Sequence, residues 1–280
     1  VKDLRHRVTV LVRFGYDGAR FFGLQPQPGV PTAGAALEAR LAAAAGQPAK
    51  GLAFSARTDR GVHAEKNLAT CFFLTGVVKG VDHGVVDVDA VRAAVVVDRD
   101  DGIGVVELLP IPPTVHARSV SRGKHYRYRV RAVDVDSVDV DTDGHRWLVV
   151  PHIDVVQMRA AAAQLVGHHD FTSFRGGGCT AASAEKHVWR IDVDEADGDV
   201  VVDICGDAFL RKMVRNVMGV LVEVGTGWRA ASDVADILAA KDRRRAGLCA
   251  PPEGLTLVQV GSAWPDDGSW LLPDERGPAR

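Results

Sequence analysis

Residues 187–205, HVWRIDVDEADGDVVVDIC, hold two runs in which apolar and polar residues alternate, His187 to Glu195 and Asp199 to Cys205, on either side of Ala196-Asp197-Gly198. Val, Ile and Trp at this spacing suit strands with one buried face. Asp-Gly between two such runs is a strong local signal for a tight hairpin. The segment therefore reads as an antiparallel hairpin and sets the fold class as α+β, with helices laid on a mainly antiparallel sheet.

The flanking sequence extends that pattern. Toward the C-terminus, Ala208 to Val224 reads as a helix with Phe209, Met213, Val217 and Leu221 on one face. Ser232 to Ala240 reads as a second helix with Ser232 as its cap, and Gly254 to Val260 as a strand. The tail after Pro265 is polar, carries Pro and Gly, and is expected to be loose. Toward the N-terminus, Asp154 to Val166 is a helix capped by Asp154 and stopped by Gly167, and Lys124 to Ala132 a strand of alternating basic and aromatic residues. Farther back, His6 to Gly15 is a buried strand ended by the turn residues Tyr16-Asp17-Gly18. Pro31 to Ala45 is an Ala- and Leu-rich helix closed by Gly46, Asn67 to Leu74 a strand, and Asp87 to Val97 a helix blurred by its Val run. This order divides the chain into two α+β halves, 1–112 and 113–265, with a loose tail over 266–280.

Composition bounds the partners. A chain of 280 residues suits two domains or one large one. A formal net charge of −2 argues, taken alone, against a polyanionic partner. The charges are segregated, however: basic residues gather at Arg118–Arg131, Arg211–Arg215 and Lys241–Arg245, acidic ones at Asp134–Asp143. A near-neutral total can hide a basic face. No apolar run is long enough to span a bilayer, and Val1 to Arg13 carries charges throughout, unlike a signal peptide. A cytoplasmic protein with no membrane partner is expected. Cys71, Cys179, Cys205 and Cys249 lie far apart with no Cys-x-x-Cys pair, which points to reduced thiols rather than a disulfide framework or a zinc site.

One polar segment lies between two strand candidates: Ser55-Ala56-Arg57-Thr58-Asp59-Arg60-Gly61-Val62-His63-Ala64. Loops held by a rigid scaffold are where catalytic groups tend to sit, and Gly61 permits a tight turn. On pattern alone, a solvated turn carrying a surface ion pair is the commoner outcome. Other candidates fall away. Asp139-x-Asp141-x-Asp143-Gly144 imitates the start of a calcium loop but puts Val150 where a bidentate Glu is needed. Gly176-Gly177-Gly178 lacks the Gly-Lys-Ser/Thr of a phosphate loop and reads as a mobile loop. His168-His169-Asp170 has no further ligand pattern around it, and His63 reads as structural. No metal site is expected.

Arg57-Thr58-Asp59-x-Gly61-Val62-His63-Ala64 resembles the signature of the tRNA pseudouridine synthase A family, and further blocks follow in that family's order. Tyr16-Asp17-Gly18 with Phe22-Gly23-Leu24-Gln25 is similar to its opening Tyr-Asp-Gly and Gly-Trp-Gln. His116-Ala117-Arg118 with Tyr126-Arg127-Tyr128 is similar to its central strand. Gly167-x-His169-Asp170-Phe171-x-Ser173-Phe174, then Phe209 with Met213-Val214-Arg215-Asn216, match two later blocks. Asp242-Arg243, Ala246-Gly247, Ala250-Pro251 and Gly254-Leu255-x-Leu257 match the last. The resemblance covers about residues 8–260.

The resemblance implies two ferredoxin-like (RRM-like) halves joined in a continuous, mainly antiparallel sheet, with the active site in the cleft between them. It implies a homodimer that isomerises uridine to pseudouridine at positions 38, 39 and 40 of the tRNA anticodon stem-loop. Asp59 matches the catalytic aspartate. The reaction breaks the bond from N1 to C1′, turns the uracil and joins C5 to C1′, and an ionised carboxylate beside C1′ traps or stabilises the oxocarbenium character that develops. An isomerisation of this kind requires no redox cofactor, nucleotide or metal. Arg215 matches the arginine that keeps the carboxylate ionised; its bland alternative is a surface arginine on phosphate. Tyr126 matches the active-site tyrosine, which holds the flipped base and helps remove the C5 proton; by periodicity alone it is a half-buried strand aromatic. Arg57 resembles the arginine that displaces and holds the target nucleotide. Leu255 resembles an apolar residue packing near the base, and is otherwise plain core. Arg211 and Arg243, in the basic clusters, are expected on the RNA backbone. Of the strand arginines, Arg127, Arg129 and Arg131 alternate away from Tyr126 and Tyr128, so some of them are ordinary surface charges.

The chain departs from the family pattern at Leu24, where Trp is usual, at Arg60, where a small residue is usual, at Ala64–Asn67, at Val95–Arg99 and at Thr180–Lys186. These changes bear on which uridines are modified. Three rivals remain at this level: a catalytically silent RNA-binding protein on the same fold, a carboxylate hydrolase acting on nucleosides, and a pseudouridine synthase acting on other RNA positions. Retention of Arg57, Asp59, Tyr126 and Arg215 together argues against the first, and the absence of a second acid in the loop argues against the second.

Overall fold

A computed structural model describes residues 6–96, 101–133, 145–149, 152–263 and 272. The acidic stretch 134–143, the Asp139–Gly144 calcium-loop mimic and nearly all of the tail after Pro265 lie outside the described residues, as does the last residue of the helix expected to reach Val97. The chain divides into two compact units, Val1–Ser121 with Ser262–Trp270 and Arg122–Gly261 with Leu271–Arg280.

The first unit runs β1 (Arg7–Tyr16), α1 (Ala33–Ala45), β2 (Lys50–Phe54), β3 (His63–Leu74), a two-residue hairpin of β4 (Val77–Val78) and β5 (Val81–Asp82), α2 (Val88–Val95), β6 (Ile103–Ile111) and the short α3 (Ala117–Val120). Its main sheet has the order β6-β1-β3-β2, all antiparallel. Counted along the chain this is 4-1-3-2, the order of a ferredoxin-like βαββαβ unit. β1 is central, and Val10, Leu11 and Val12 are all fully buried, which explains its unbroken apolar run. Helix α1 begins two residues later than the Ala/Leu pattern suggests, because Thr32 is extended and its Oγ1 accepts from Ala35 N at 3.3 Å.

The second unit runs β7 (Ser121–Ala132), β8 (Trp147–Val149), α4 (Val155–Ala163), β9 (Gly167–Asp170), β10 (Glu185–Ala196), β11 (Asp199–Gly206), α5 (Met213–Gly225), α6 (Asp233–Ala240) and β12 (Leu255–Ser262). Its sheet order is β12-β7-β11-β10-β9, with β8 parallel to β7. Without β8 and the short β9 this is again 4-1-3-2. The hairpin read from residues 187–205 is present: Ala196 pairs with Asp199, and the two turn residues Asp197 and Gly198 have φ of +54° and +79°. Two positive values belong to the turn type whose twist matches the strands, and Asp-Gly supplies them.

Three expectations are corrected. Helix α5 starts at Met213, not Ala208, so Phe209 and Arg211 precede it. Leu210 is buried and Lys212 takes a left-handed conformation (φ +59°), which stops the helix from extending backward. Ser232 gives α6 no side-chain cap; Asp233 Oδ2 accepts from Ala230 N at 3.2 Å instead. The triple glycine is pinned rather than loose: Gly176 N donates to Arg211 O at 2.8 Å, and Arg211 Nη1 donates to Gly177 O at 3.1 Å. Strands β2 and β6 carry no clear sequence signal. Gly51, at φ +65°, interrupts the first, and Pro110 stands in the second, which tolerates it because β6 is an edge of its unit's sheet.

Gly254 is one of the close approaches in the second unit. A Cβ there would lie 2.6 Å from Tyr128 Cε1 and 2.9 Å from Arg129 O. Tyr128 is fully buried and its hydroxyl donates to Pro251 O at 2.6 Å. The Gly254→Ala chain is expected to lose about 1–3 kcal/mol of stability, read as a lower urea midpoint at unchanged slope.

Candidate active site

Asp59 lies in a connection between β2 and β3 that has few sheet bonds of its own. The first unit anchors it from several sides. Val62 N donates to Asp59 O at 3.2 Å, closing a turn in which Gly61 has φ +81°. Tyr16, at the end of β1, shares a 2.7 Å hydrogen bond with Thr58 Oγ1. Burial pushes the Tyr16 phenol up to about 12, while its bonds to Thr58 and Asn67 act in the other direction. Leu24 N donates to Thr58 O at 3.4 Å. Asn67, fully buried, donates Nδ2 to Ala56 O at 3.0 Å and accepts from Leu68 N at 2.8 Å.

Two glycines let other chain segments reach this loop. A Cβ on Gly18 would sit 2.4 Å from Val62 C and O, and one on Gly23 (φ +89°) 3.1 Å from Thr58 O. Gly18 N donates to Nδ1 of the buried His63 at 3.0 Å. That nitrogen therefore carries no proton, and the 3.3 Å approach of Asp17 Oδ1 to it is a contact rather than a charged pair. His63 thus holds the Gly18 backbone against the loop. Asp59 is half-buried and Arg57 exposed. The unusual Arg60 is exposed and stacks its guanidinium 4.2 Å from the centroid of the Phe22 ring, while Leu24 is fully buried.

The second unit gathers the remaining candidates. Tyr126 is buried on β7 with its ring edge-on to Phe209, centroids 5.3 Å apart at 88°. Phe209 is thus a partner of Tyr126 and not part of a helical stripe; the irregular segment before α5 hides this from any periodicity. Arg215, half-buried in the first turn of α5, donates Nε to Ala250 O at 2.7 Å and accepts at its own carbonyl from Ala250 N at 3.0 Å. Burial raises the Tyr128 phenol far above its ordinary value, and the charge of Arg215 pulls the other way. Leu255 is buried at the start of β12. Arg243 donates to Gly247 O at 2.9 Å and to Asn216 Oδ1 at 2.8 Å, while the fully buried Asn216 donates to Phe174 O at 2.7 Å. Arg211 is exposed beside the triple glycine.

The basic strand is largely neutralised in place. Arg127 makes a two-pronged contact with Asp203 at 3.0 and 3.1 Å, and His125 Nε2 meets the same carboxylate at 2.5 Å. Burial works to raise the Asp203 carboxyl, but the hydrogen bonds from His125 and Arg127 outweigh it and hold it below its usual value. Arg131 and Arg146 share the buried Asp199 at 2.6 and 2.8 Å. At the far end, Asp170 accepts from Lys241 Nζ at 2.9 Å and from Thr172 N and Oγ1 at 3.0 and 2.6 Å. The Lys241 and Thr172 bonds lower its carboxyl from 3.8 to about 2. Ser173 Oγ joins the same corner, bonding Ile237 O and Asp242 N. The His168-His169-Asp170 run thus builds a structural corner. All four cysteines are free thiols, and no helix among the described residues is long and apolar enough to cross a membrane.

Comparison with known proteins follows the same motifs. A family model described as tRNA pseudouridine synthase matches residues 161–261. Proteins named tRNA pseudouridine synthase A are similar over most of the chain. One from Neisseria meningitidis serogroup C is 38% identical over 259 residues, 92% of this chain and 93% of that protein. One from Myxococcus xanthus is 38% identical over 252 residues, 88% of each. One from a Bradyrhizobium species is 38% identical over 257 residues, 91% of this chain and 98% of that protein.

Two expectations follow. Asn67→Ala leaves a buried carbonyl and a buried N–H without partners and is expected to cost about 2–4 kcal/mol, against about 1 kcal/mol for Tyr16→Phe; paired denaturant curves check the ranking. For Asp170, whose folded carboxyl is depressed, the stabilisation is present above the unfolded value and is lost as pH falls toward about 2. The stability gap between wild type and Asp170→Asn is therefore expected to be constant near neutral pH and to close below about pH 4, as read by chemical denaturation at stepped pH.

Proposed function

The chain belongs to the tRNA pseudouridine synthase A family and is an isomerase that converts uridine to pseudouridine in tRNA, and on that premise we propose that Asp59 is its catalytic carboxylate and that it acts at positions 38, 39 and 40 of the anticodon stem-loop. The observation that supports the assignment of Asp59 is the anchoring of its loop. Thr58 is held at both Oγ1 and its carbonyl, Ala56 at its carbonyl and Asp59 at its own, so the loop is fixed before any substrate arrives.

The target uridine leaves the helical stack before reaction, which a loop-borne carboxylate requires in order to reach C1′. As the N1–C1′ bond breaks, positive charge grows on the sugar, and the Asp59 carboxylate offsets it. The uracil turns, C5 bonds to C1′, the C5 proton leaves and N1 gains one, so the product is an isomer and nothing is consumed. Tyr126, held edge-on by Phe209, offers a fixed aromatic surface for the base and a phenol for the C5 proton. Arg215, its Nε fixed on Ala250, supplies the charge that keeps a carboxylate ionised. Arg57 is exposed beside Asp59 and fills the space the displaced uridine leaves. Leu255 packs against the base, and Arg211 and Arg243 meet RNA phosphates. The enzyme works as a cytoplasmic homodimer with no cofactor.

The test is tritium release from tRNA carrying 5-tritiated uridine, with the modified positions mapped. Asp59→Asn is expected to lower release more than about a thousandfold while tRNA affinity stays within a few-fold of wild type. Release by Asp59→Asn at the wild-type rate removes the central assignment, and a map outside the anticodon stem-loop removes the positions.

A further inference from the structure

The segment before α1 crosses the Asp59 loop at close range and sets an aromatic ring beside it. A Cβ on Gly23 would lie 3.1 Å from Thr58 O, 3.2 Å from Arg60 N and 3.3 Å from Asp59 C, so the two backbones lie together only because the crossing residue is a glycine. The neighbouring Phe22 is pinned at both of its own backbone groups. Its N–H donates to Pro31 O at 2.8 Å, and its carbonyl accepts from Gln27 Nε2 at 3.1 Å. Gly23 O and Leu24 O accept from Ala33 N at 3.1 Å and Gly34 N at 2.9 Å, which ties the segment to the first turn of α1. The ring mounted on this backbone is 40% exposed, and the Arg60 guanidinium lies over it, 4.2 Å from the centroid.

A guanidinium laid on a ring uses one of its faces and keeps its N–H fork for another partner. Arg60 is exposed, and among the described residues its side-chain N–H groups meet no acceptor and it forms no ion pair. Arg127, Arg131 and Arg244 are bound to carboxylates of this chain instead. The stack restricts the long Arg60 side chain without neutralising it, so much of the freedom an arginine loses on gripping an anion is already lost before binding. We propose that Arg60, held on Phe22, is a substrate-positioning residue that grips a phosphate of the target nucleotide and so sets the ribose against Asp59. Covalent distances support the placement. Asp59 works at C1′, and the two phosphates joined to the same ribose lie one sugar ring away. Consecutive Cα atoms are about 3.8 Å apart, so the residue next to Asp59 stands over that short span, with the carboxylate half-buried and the guanidinium exposed. A two-pronged arginine–phosphate contact fixes orientation as well as position. It reads no base, which suits an enzyme that acts at successive positions of one strand.

The inference rests on the tRNA reading for its ligand, and the test separates the two. Kd is measured for anticodon stem-loop RNAs in which one phosphate, on the 5′ or the 3′ side of each uridine at positions 38, 39 and 40, is an uncharged methylphosphonate on a 2′-deoxy nucleotide. The 2′-deoxy phosphodiester is the reference. The full chain carries Asp59→Asn, so that the RNA stays unreacted, alone or with Arg60→Ala, Arg60→Lys or Phe22→Leu. Tritium release from tRNA is followed with the Asp59 chain beside it. At one linkage the uncharged group is expected to weaken binding about tenfold when Arg60 is present and less than about twofold in Arg60→Ala. Arg60→Lys is expected to restore part of that difference, and Phe22→Leu, which keeps the charge without the platform, to reduce it to about threefold. A general loosening of the loop weakens every RNA alike and leaves these ratios unchanged. Equal losses with and without Arg60, no sensitive linkage beside any of these uridines, or an effect undiminished in Phe22→Leu overturns the inference even if tritium is released. Coupling between Arg60 and one linkage without release upholds it and counts against the isomerase reading alone.

Discussion

A loop that leaves one strand and enters the next must satisfy its backbone from outside, because an unpaired buried N–H or C=O costs as much as a lost hydrogen bond. The Ala56–Val62 connection meets that demand through side chains and backbone groups brought from the end of β1, the segment around Gly23 and the start of β3. Asn67 is the most economical of these, since one amide serves Ala56 O on one side and Leu68 N on the other. Gly18 and Gly23 are needed for the same reason: a side chain at either would push the neighbouring segment off the loop and release its bonds. The backbone of Asp59 is thus placed by the hydrogen bonding of the segments around it.

The second unit solves a related problem with charge. Its β7 strand carries arginines whose electrostatic repulsion would strain a bare sheet face. Asp199 and Asp203 on β11 answer them across the ladder, at Arg131 and Arg127. Arg243 and the exposed Lys241 are likewise bonded, to Asn216 and Asp170. These bonds tie the 241–247 segment to the Phe171–Phe174 corner and to the first turn of α5, which fixes Arg215.

Sequence pattern carries the parts of this that are local. The 187–205 hairpin is legible because its turn chemistry and its alternation are both local properties, and β1 is legible because a central strand is apolar on both faces. Strand β6 is not, because Pro110 is tolerated only by virtue of an edge position that the sequence does not state. The start of α5 fails for a different reason. Residues 208–212 have helical periodicity, but Gly176 requires the Arg211 carbonyl from a segment more than thirty residues away, and tertiary bonding of that kind overrides a weak propensity. Within the site, Asp59, Tyr126, Arg215, Arg57 and Leu255 were visible through the family motifs rather than through any pattern of their own. The supporting roles of Asn67, Phe209 and Asn216 were not, although Phe209 and Asn216 stand in one of those motifs. A lone Asn in the apolar strand Asn67–Leu74 is the one signal that pointed to a buried polar anchor, since such a group must be hydrogen-bonded where it lies.

The same geometry resolves how a chain of net charge −2 handles a polyanion. Counting arginines and lysines overstates the field available to RNA, because Arg127, Arg131 and Arg244 are already committed to acceptors within the chain. Arg57 and the outer nitrogens of Arg118 are not, among the described residues, and both belong to the first unit with Asp59. Phosphate contacts position a nucleic acid without reading it. Sequence reading has to come from shape and from groups that meet bases. In this chain such groups are the rigid loop around Asp59 and the fixed ring of Tyr126.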